Sequence, residues 1–306
     1  MVLSIGEILV DIFIDGDKQT AFPGGAPFNV ACNIALFNKG QAGFYGVIGD
    51  DQHGHLLMDF AKKKVSKLYL DVFKKHKTTE AIVTLDHGER TFRFNRDADY
   101  LLNIQRLHDI DFKDINIVHL GSLMLSHQVG RDFIYETIDY IHSSSEALIS
   151  FDVNYRDDIF SSPEEAKKAF LDVIRKVDVI KFTEEELTLL SGEDDIKAGL
   201  EILLKPHQLA VVTLGKDGSV FYSKDKIIKV ETIPLKPVDT TGAGDAFYSY
   251  FLYRLSQGLD LQNDNDIHNA LFKANIVGGL TTQKKGAIDS APKLEKIEAF
   301  IKQLNK

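Results

Sequence analysis

Thr240 to Phe247 reads TTGAGDAF: two hydroxyls, an alanine between two glycines, an aspartate, and the first residues of an apolar run. The stretch that follows, AFYSYFLYRLSQ, spaces its apolar residues as a helix does, and Gly258 stands where such a helix ends. The Gly-Ala-Gly turn is therefore expected to open a helix of about three turns. Glycines let a ligand come close to the backbone, and the first free amides of a helix attract anions. Asp245 in that place has two readings. It is either a first-turn dipole partner, worth about 0.3–1 kcal/mol, or a base. As a base it takes the proton of an attacking hydroxyl while the amides of Gly242, Ala243 and Gly244 hold a phosphoryl group in transit. Spacing alone leaves both open. The stretch is not a P-loop, because Gly-x4-Gly-Lys-Ser/Thr is absent.

Outward from this turn, short apolar runs alternate with helical patterns. The runs are Val2–Ile5, Phe44–Ile48, Ile117–Leu120, Ala147–Phe151, Val177–Phe182 and Leu209–Leu214. Helical periodicity occupies Asn29–Phe37, His55–Lys64, Val129–Ser143, Pro163–Lys176 and Glu184–Leu190. That alternation predicts an α/β fold with a largely parallel sheet covered on both faces. Two segments depart from it. IFIDGDKQTAF at Ile12–Phe22 and AIVTLDHGERTFRF at Ala81–Phe94 alternate around Asp-Gly and His-Gly turns, as hairpins do. They are too thin to hold a core alone and read as a small antiparallel flap over the sheet, placed to exclude water from a ligand. The chain is thus expected to be one domain, 1–306, with a lid built from about 12–22 and 81–96.

Composition narrows the class. With 36 Lys and Arg against 45 Asp and Glu, the net charge is −9, and no basic run exceeds the three residues Lys62–Lys64. Nucleic acid and anionic membrane are not expected partners of such a surface. One cysteine, Cys32, excludes an internal disulfide and a multi-cysteine metal site, and its apolar helical setting reads as a plain buried thiol. The ten histidines show neither H-x-x-x-H nor H-E-x-x-H spacing, so no zinc site is expected. The N-terminus starts directly with a strand-like run that lacks signal-peptide features, and no apolar stretch reaches the ~18–20 residues of a membrane helix. A cytoplasmic location is the expectation.

Two long motifs then stand together. PVDTTGAGDAFYSYF resembles the C-terminal signature of the ribokinase-like (PfkB) carbohydrate kinases. PGGAPFNVACNIALFNKG followed by GVIGDDQHG resembles their N-terminal signature, and the resemblance runs in order from Gly6 to Pro292. It implies a ribokinase-like αβα core with a mostly parallel central sheet and a small β lid. It implies ATP and Mg²⁺ as cofactors and a sugar as acceptor, with Asp245 as general base and Gly242, Ala243 and Gly244 at the transferring phosphoryl group. A homodimer through the lid is a further expectation.

The resemblance assigns the remaining residues. Asp11, which reads as the end of the first strand, binds sugar hydroxyls together with Gly24, Gly25 and Asn29. In FRFNRDADYLL, Phe92, Phe94 and Arg96 alternate onto one face, so that Phe94 and Arg96 meet the sugar at the lid edge. Arg156, in DVNYR, lies past the strand ALISF, where open α/β sheets bind ligands. Glu186 in KFTEEE matches a carboxylate that organises Mg²⁺ through water, although Thr183 stands where the family shows Asn. Thr213, Gly215 and Gly218 in VVTLGKDGS lie along the nucleotide, and Asn275 lies near the adenine. Asp239, Thr241, Gly286 and Ser290 match a loop that binds a monovalent cation such as K⁺ in many relatives; oxygen ligands suit a hard cation. GGAPFNVA, GERTFRFNRDADYLL and HLGSL look most like fructokinases, which implies D-fructose converted to fructose 6-phosphate. The alternatives are a 2-keto-3-deoxygluconate kinase and a catalytically silent sugar-binding regulator.

Overall fold

The computed structural model describes residues 1–15, 18–86 and 89–304. Its strands are β1 (Val2–Ile5), β2 (Leu9–Asp15), β3 (Lys18–Gly24), β4 (Gly43–Gly49), β5 (Lys67–Phe73), β6 (Glu80–Asp86) and β7 (Glu89–Asn95). They continue as β8 (Ile117–Leu120), β9 (Leu148–Asp152), β10 (Val179–Thr183), β11 (Leu209–Thr213), β12 (Ser219–Ser223) and β13 (Lys226–Val230). The helices are α1 (Ala26–Phe37), α2 (Gln52–Lys64), α3 (Ile104–His108), α4 (Gln128–Ser144) and α5 (Pro163–Ile174). After them come α6 (Glu184–Ser191), α7 (Ile196–Leu203), α8 (Ala243–Ser256), α9 (Asp264–Thr281) and α10 (Leu294–Leu304).

Nine strands form one sheet in the order β13-β12-β11-β10-β9-β8-β1-β4-β5. It is parallel from β11 to β5, and β12 and β13 add an antiparallel ribbon at one edge. The parallel part follows from apolar strands buried on both faces: every residue of β1, β4 and β8 is buried. Two apolar clusters lie on opposite faces. One contains α1, α8 and α9 side chains (Phe28, Phe37, Phe251, Leu271), the other α4, α5 and α6 side chains (Ile138, Phe170, Leu187). The edge strands β5 and β13 are not among the apolar runs of the sequence. Their residues alternate or are half-buried, so no continuous hydrophobic run marks them.

The lid is a separate four-stranded sheet, β3-β2-β6-β7. Each hairpin is antiparallel, as its alternation predicts, but the two join through a parallel β2–β6 pair, so the lid is mixed rather than wholly antiparallel. Gly16, His87 and Gly88, which belong to the predicted turns, lie outside the described residues, as does the Phe92 side chain. Among the described residues no helix is long and apolar enough to cross a membrane.

One expectation is corrected here. Asp11 does not close the first strand. β1 stops at Ile5, where Gly6 packs its backbone against Pro27 and Gly121, too close for any side chain. Asp11 is the third residue of lid strand β2, paired with Phe22 and Ala81.

Candidate active site

The carboxyl ends of β1, β8, β9 and β10 meet the N-termini of α1 and α8 beneath the lid. α1 starts at Gly25, whose φ of +108° and whose position against the Glu7 carbonyl leave no room for a side chain: a Cβ would lie 2.5 Å from that oxygen. A Cβ on Gly24 would lie 2.2 Å from Asp11 Oδ2. The GG turn is thus pressed onto the Asp11 carboxylate. Asn29, one turn into α1, donates from Nδ2 to Asp245 Oδ2 at 2.7 Å. That bond joins two motifs 216 residues apart in sequence.

Asp245 lies in the first turn of α8. Gly242, the N-cap, takes a left-handed φ of +74°, and a Cβ there would meet Ala287 at 2.5 Å. Of the three amides expected to face an anion, that of Ala243 donates to the Thr240 carbonyl (3.2 Å). Among the described residues the amides of Gly242 and Gly244 have no protein acceptor. Beneath this turn the structure adds a pair that sequence reasoning missed. Lys181 Nζ lies 2.8 Å from Asp152 Oδ1, both side chains 5% exposed, and 3.6 Å from where a Cβ of Gly244 would be. Both residues stand in motifs already singled out, DVNYR and KFTEEE, but their pairing depends on the β9–β10 register.

The electrostatics follow from burial. Asp245 is pushed up to about 6 by loss of solvation and by Asp152, against the opposing pull of the Asn29 hydrogen bond, Lys181 and Arg156. Asp11 rises to about 7 through burial and then Asp245, with Arg156 opposing. Lys181 stays charged: burial works against it, but Asp152 and Glu186 outweigh that and raise its pKa. A further carboxyl, Glu7, is 3% exposed and lifted to about 8 by burial, and its Oε2 has no partner among the described residues.

Arg96 lies past the end of β7, not on its face. Its guanidinium is taken up by Asp99, to which Nε donates at 3.0 Å, and by the Ser126 hydroxyl. Phe94 packs with Leu9, Ala81 and Leu123, and the Arg156 guanidinium sits 5.9 Å from its ring centre. Arg156 otherwise reaches Asn154 Oδ1 at 3.4 Å.

Glu186 and Thr183 form a capping box at the start of α6. Thr183 Oγ1 accepts from Glu186 N (3.2 Å), and Glu186 Oε2 accepts from Thr183 N (2.7 Å). Glu186 Oε1 accepts from Tyr155 N at 2.8 Å. Each carboxylate oxygen so retains acceptor capacity for water. Among the described residues no group of three or more His, Cys, Asp or Glu is placed to cage a metal.

Thr213 ends β11 with its hydroxyl on the Phe182 carbonyl (3.3 Å). Gly215 and Gly218 bracket a short 3₁₀ turn, and Gly218 lies so close to the Val230 carbonyl that a Cβ would be 2.1 Å away. Asn275, on α9, donates to the Val230 carbonyl at 3.1 Å, which ties α9 to the end of β13. Asp239 accepts from Thr241 N and Oγ1 (3.0 and 2.7 Å) and from Gly286 N (3.1 Å), joining the segment before α8 to the later loop. Ser290 Oγ donates within that loop to the carbonyls of Gly286 (2.5 Å) and Ala287 (3.1 Å).

Residues 1–294 match the model of the pfkB family carbohydrate kinases. The chain is 34% identical over 317 residues to a probable fructokinase-2 of Arabidopsis thaliana, covering 99% of this chain and 96% of that one. Among solved structures it resembles a fructokinase of Vibrio cholerae O395 bound to fructose, ADP and calcium ion (TM-score 0.88, 34% identity, 98% of each chain). It also resembles a fructokinase of Xylella fastidiosa with bound ATP (TM-score 0.91, 28% identity, 100% of this chain and 99% of that one).

Proposed function

The chain belongs to the pfkB family of carbohydrate kinases, and on that footing we propose that it transfers the terminal phosphoryl group of ATP to D-fructose, giving fructose 6-phosphate. The observation that carries this reading is the Asn29–Asp245 hydrogen bond, which sets a sugar-binding motif against a base at the mouth of an amide-lined turn. Asp11 and Asn29 hold the sugar hydroxyls, with Gly24 and Gly25 allowing close approach and Phe94 and Arg156 lining the lid side. Asp245 accepts the proton of the 6-hydroxyl as its oxygen bonds to the γ-phosphorus, and the bond to the ADP oxygen breaks. The Gly242 and Gly244 amides and the Lys181 ammonium face the charge that spreads over the phosphoryl oxygens. Mg²⁺ would enter with the triphosphate, with Glu186 orienting its water, and would supply further charge neutralisation. Thr213, Gly215, Gly218 and Asn275 border the nucleotide.

The engagement of Arg96 by Asp99 and Ser126 favours an uncharged sugar over a keto-deoxy acid, since one of the two guanidiniums suited to a carboxylate is already held. The loop joining Asp239, Thr241, Gly286 and Ser290 takes K⁺ in this reading, and a cytoplasmic location, where ATP is at hand, is part of it. Phe22, 40% exposed beside Phe13 on the lid, supports pairing of two lids in a homodimer. The test is ADP release measured over fructose, 2-keto-3-deoxygluconate, ribose and nucleosides, with and without K⁺. Fructose is expected to give the highest kcat/KM, and absence of turnover on every sugar would refute the kinase assignment.

A further inference from the structure

Asn33 lies one turn beyond Asn29 on α1 and is 1% exposed, and among the described residues neither its Nδ2 nor its Oδ1 has a partner. Asn29 Oδ1 is in the same condition, while its Nδ2 is on Asp245. Residues four apart share a helix face, so Asn29, Asn33 and Phe37 form one stripe. Both ends of that stripe meet α8. Asn29 touches Asp245, and the Phe37 ring lies 5.5 Å from Tyr250 and 6.0 Å from Tyr253. The two helices therefore run side by side in the same direction, which sets Asn33 opposite Ser249. Ser249 is fully buried and spends its hydroxyl on the Asp245 carbonyl at 2.5 Å. Three amide atoms are thus left unpaired in one closed seam behind the base. Buried amide groups without partners are costly, and in close-packed interiors an ordered water meets them.

We propose that Asn33 is a positioning residue for the catalytic base: it holds a buried water against Asn29 Oδ1, and that water locks the Asn29 amide with its nitrogen on Asp245. A primary amide can turn over end for end, and the reversed Asn29 would set its oxygen against the Asp245 carboxylate. A water that accepts from Asn33 Nδ2 and donates to Asn29 Oδ1 reinforces the orientation that the Asp245 carboxylate selects, whereas the reversed Asn29 would turn its oxygen on the carboxylate and press a second amide donor onto the same water. The orientation matters because the Asn29 hydrogen bond favours the ionised base. The charged groups facing Asp245 are Asp152 from β9, Lys181 from β10, Arg156 from the loop after β9 and Asp11 from β2. α1 carries no charged side chain, so its side-chain share of the control runs through Asn29.

The inference rests on Asp245 acting as the base, so Asp245→Asn is measured alongside. Parent-like turnover in that variant removes the reading and this inference with it. A high-resolution crystal structure of the parent is expected to hold a water between Asn29 Oδ1 and Asn33 Nδ2. A dry seam, or Asn29 Oδ1 turned to Asp245, overturns the proposal whatever the variants do. Asn33→Leu, which fills the seam, is expected to move the acid limb of the kcat profile upward by roughly half to one pH unit. Asn33→Ser, which keeps a partner for the water, should fall between Leu and parent. A merely structural Asn33 changes the melting temperature and leaves the limb where it was, and that result in a folded Leu or Ser variant refutes the proposal.

Discussion

Gly24→Ala isolates the sugar contact from the fold. Its neighbour Gly25 needs a left-handed backbone and presses on a main-chain carbonyl, so Gly25→Ala strains the structure itself. Gly24 does not have a positive φ. An alanine Cβ there meets one obstacle, the Asp11 carboxylate, at 2.2 Å from Oδ2 and 2.9 Å from Cγ. Ordinary contact needs roughly 3.4 Å or more, so the carboxylate must withdraw by about 1 Å. The obstacle is the mobile end of a side chain, and the fold absorbs it. A carboxylate displaced that far loses its hydrogen bonds to the sugar, each worth about 1.5–3 kcal/mol when one partner is charged. Loss of one such bond lowers kcat/KM for fructose by roughly 10- to 150-fold. Steady-state ADP release should show the loss in the fructose KM, with the ATP KM near that of the parent, and the melting temperature should change little. A Gly24→Ala enzyme with the parent's fructose KM would refute the assignment of Asp11 as a sugar ligand.

Three further outcomes are expected. With Asp245 at about 6 and Asp11 at about 7, the latter raised in part by Asp245, kcat/KM should fall on acidification through one apparent pKa between those values, as protonation removes the base and the sugar acceptor together; a flat profile from pH 8 to 5 contradicts this. Glu7, raised from 4.5 to about 8, binds its proton more tightly in the folded state, so its stabilising effect is complete at low pH and lost as pH rises through 8. Glu7→Gln, always neutral, should then match the parent's denaturant stability at pH 4.5 and exceed it at pH 9 by on the order of 4 kcal/mol. Chelation of divalent cations should abolish turnover, and Glu186→Gln should raise the Mg²⁺ concentration needed for half-maximal rate while its amide oxygen keeps the capping bond to Thr183 N, so the melting temperature should change little.

The alternation of apolar runs with helical patterns already determined the α/β class, because strands buried on both faces must read as continuous hydrophobic segments, as β1, β4 and β8 do. Gly-Ala-Gly-Asp before a helical run likewise marked where α8 begins, since the left-handed backbone that Gly242 takes at the N-cap is a local matter. Edge strands β5 and β13 escaped notice because half-exposed strands carry no such run. Asp11 reads as part of the first strand because MVLSIGEILVDIFI is mostly apolar with no turn signal beyond Gly6, and only the packing of Gly6 against Pro27 and Gly121 breaks it between core and lid. Contacts between distant segments were left to the tertiary structure alone. The Asp152–Lys181 pair depends on the register of β9 with β10, and the Asn29–Asp245 bond on two helix ends brought together across 216 residues. The seam at Asn33 depends on α1 and α8 running in the same direction. Residue type is written in the chain, but which buried group meets which, and so which proton each one keeps, is set by packing.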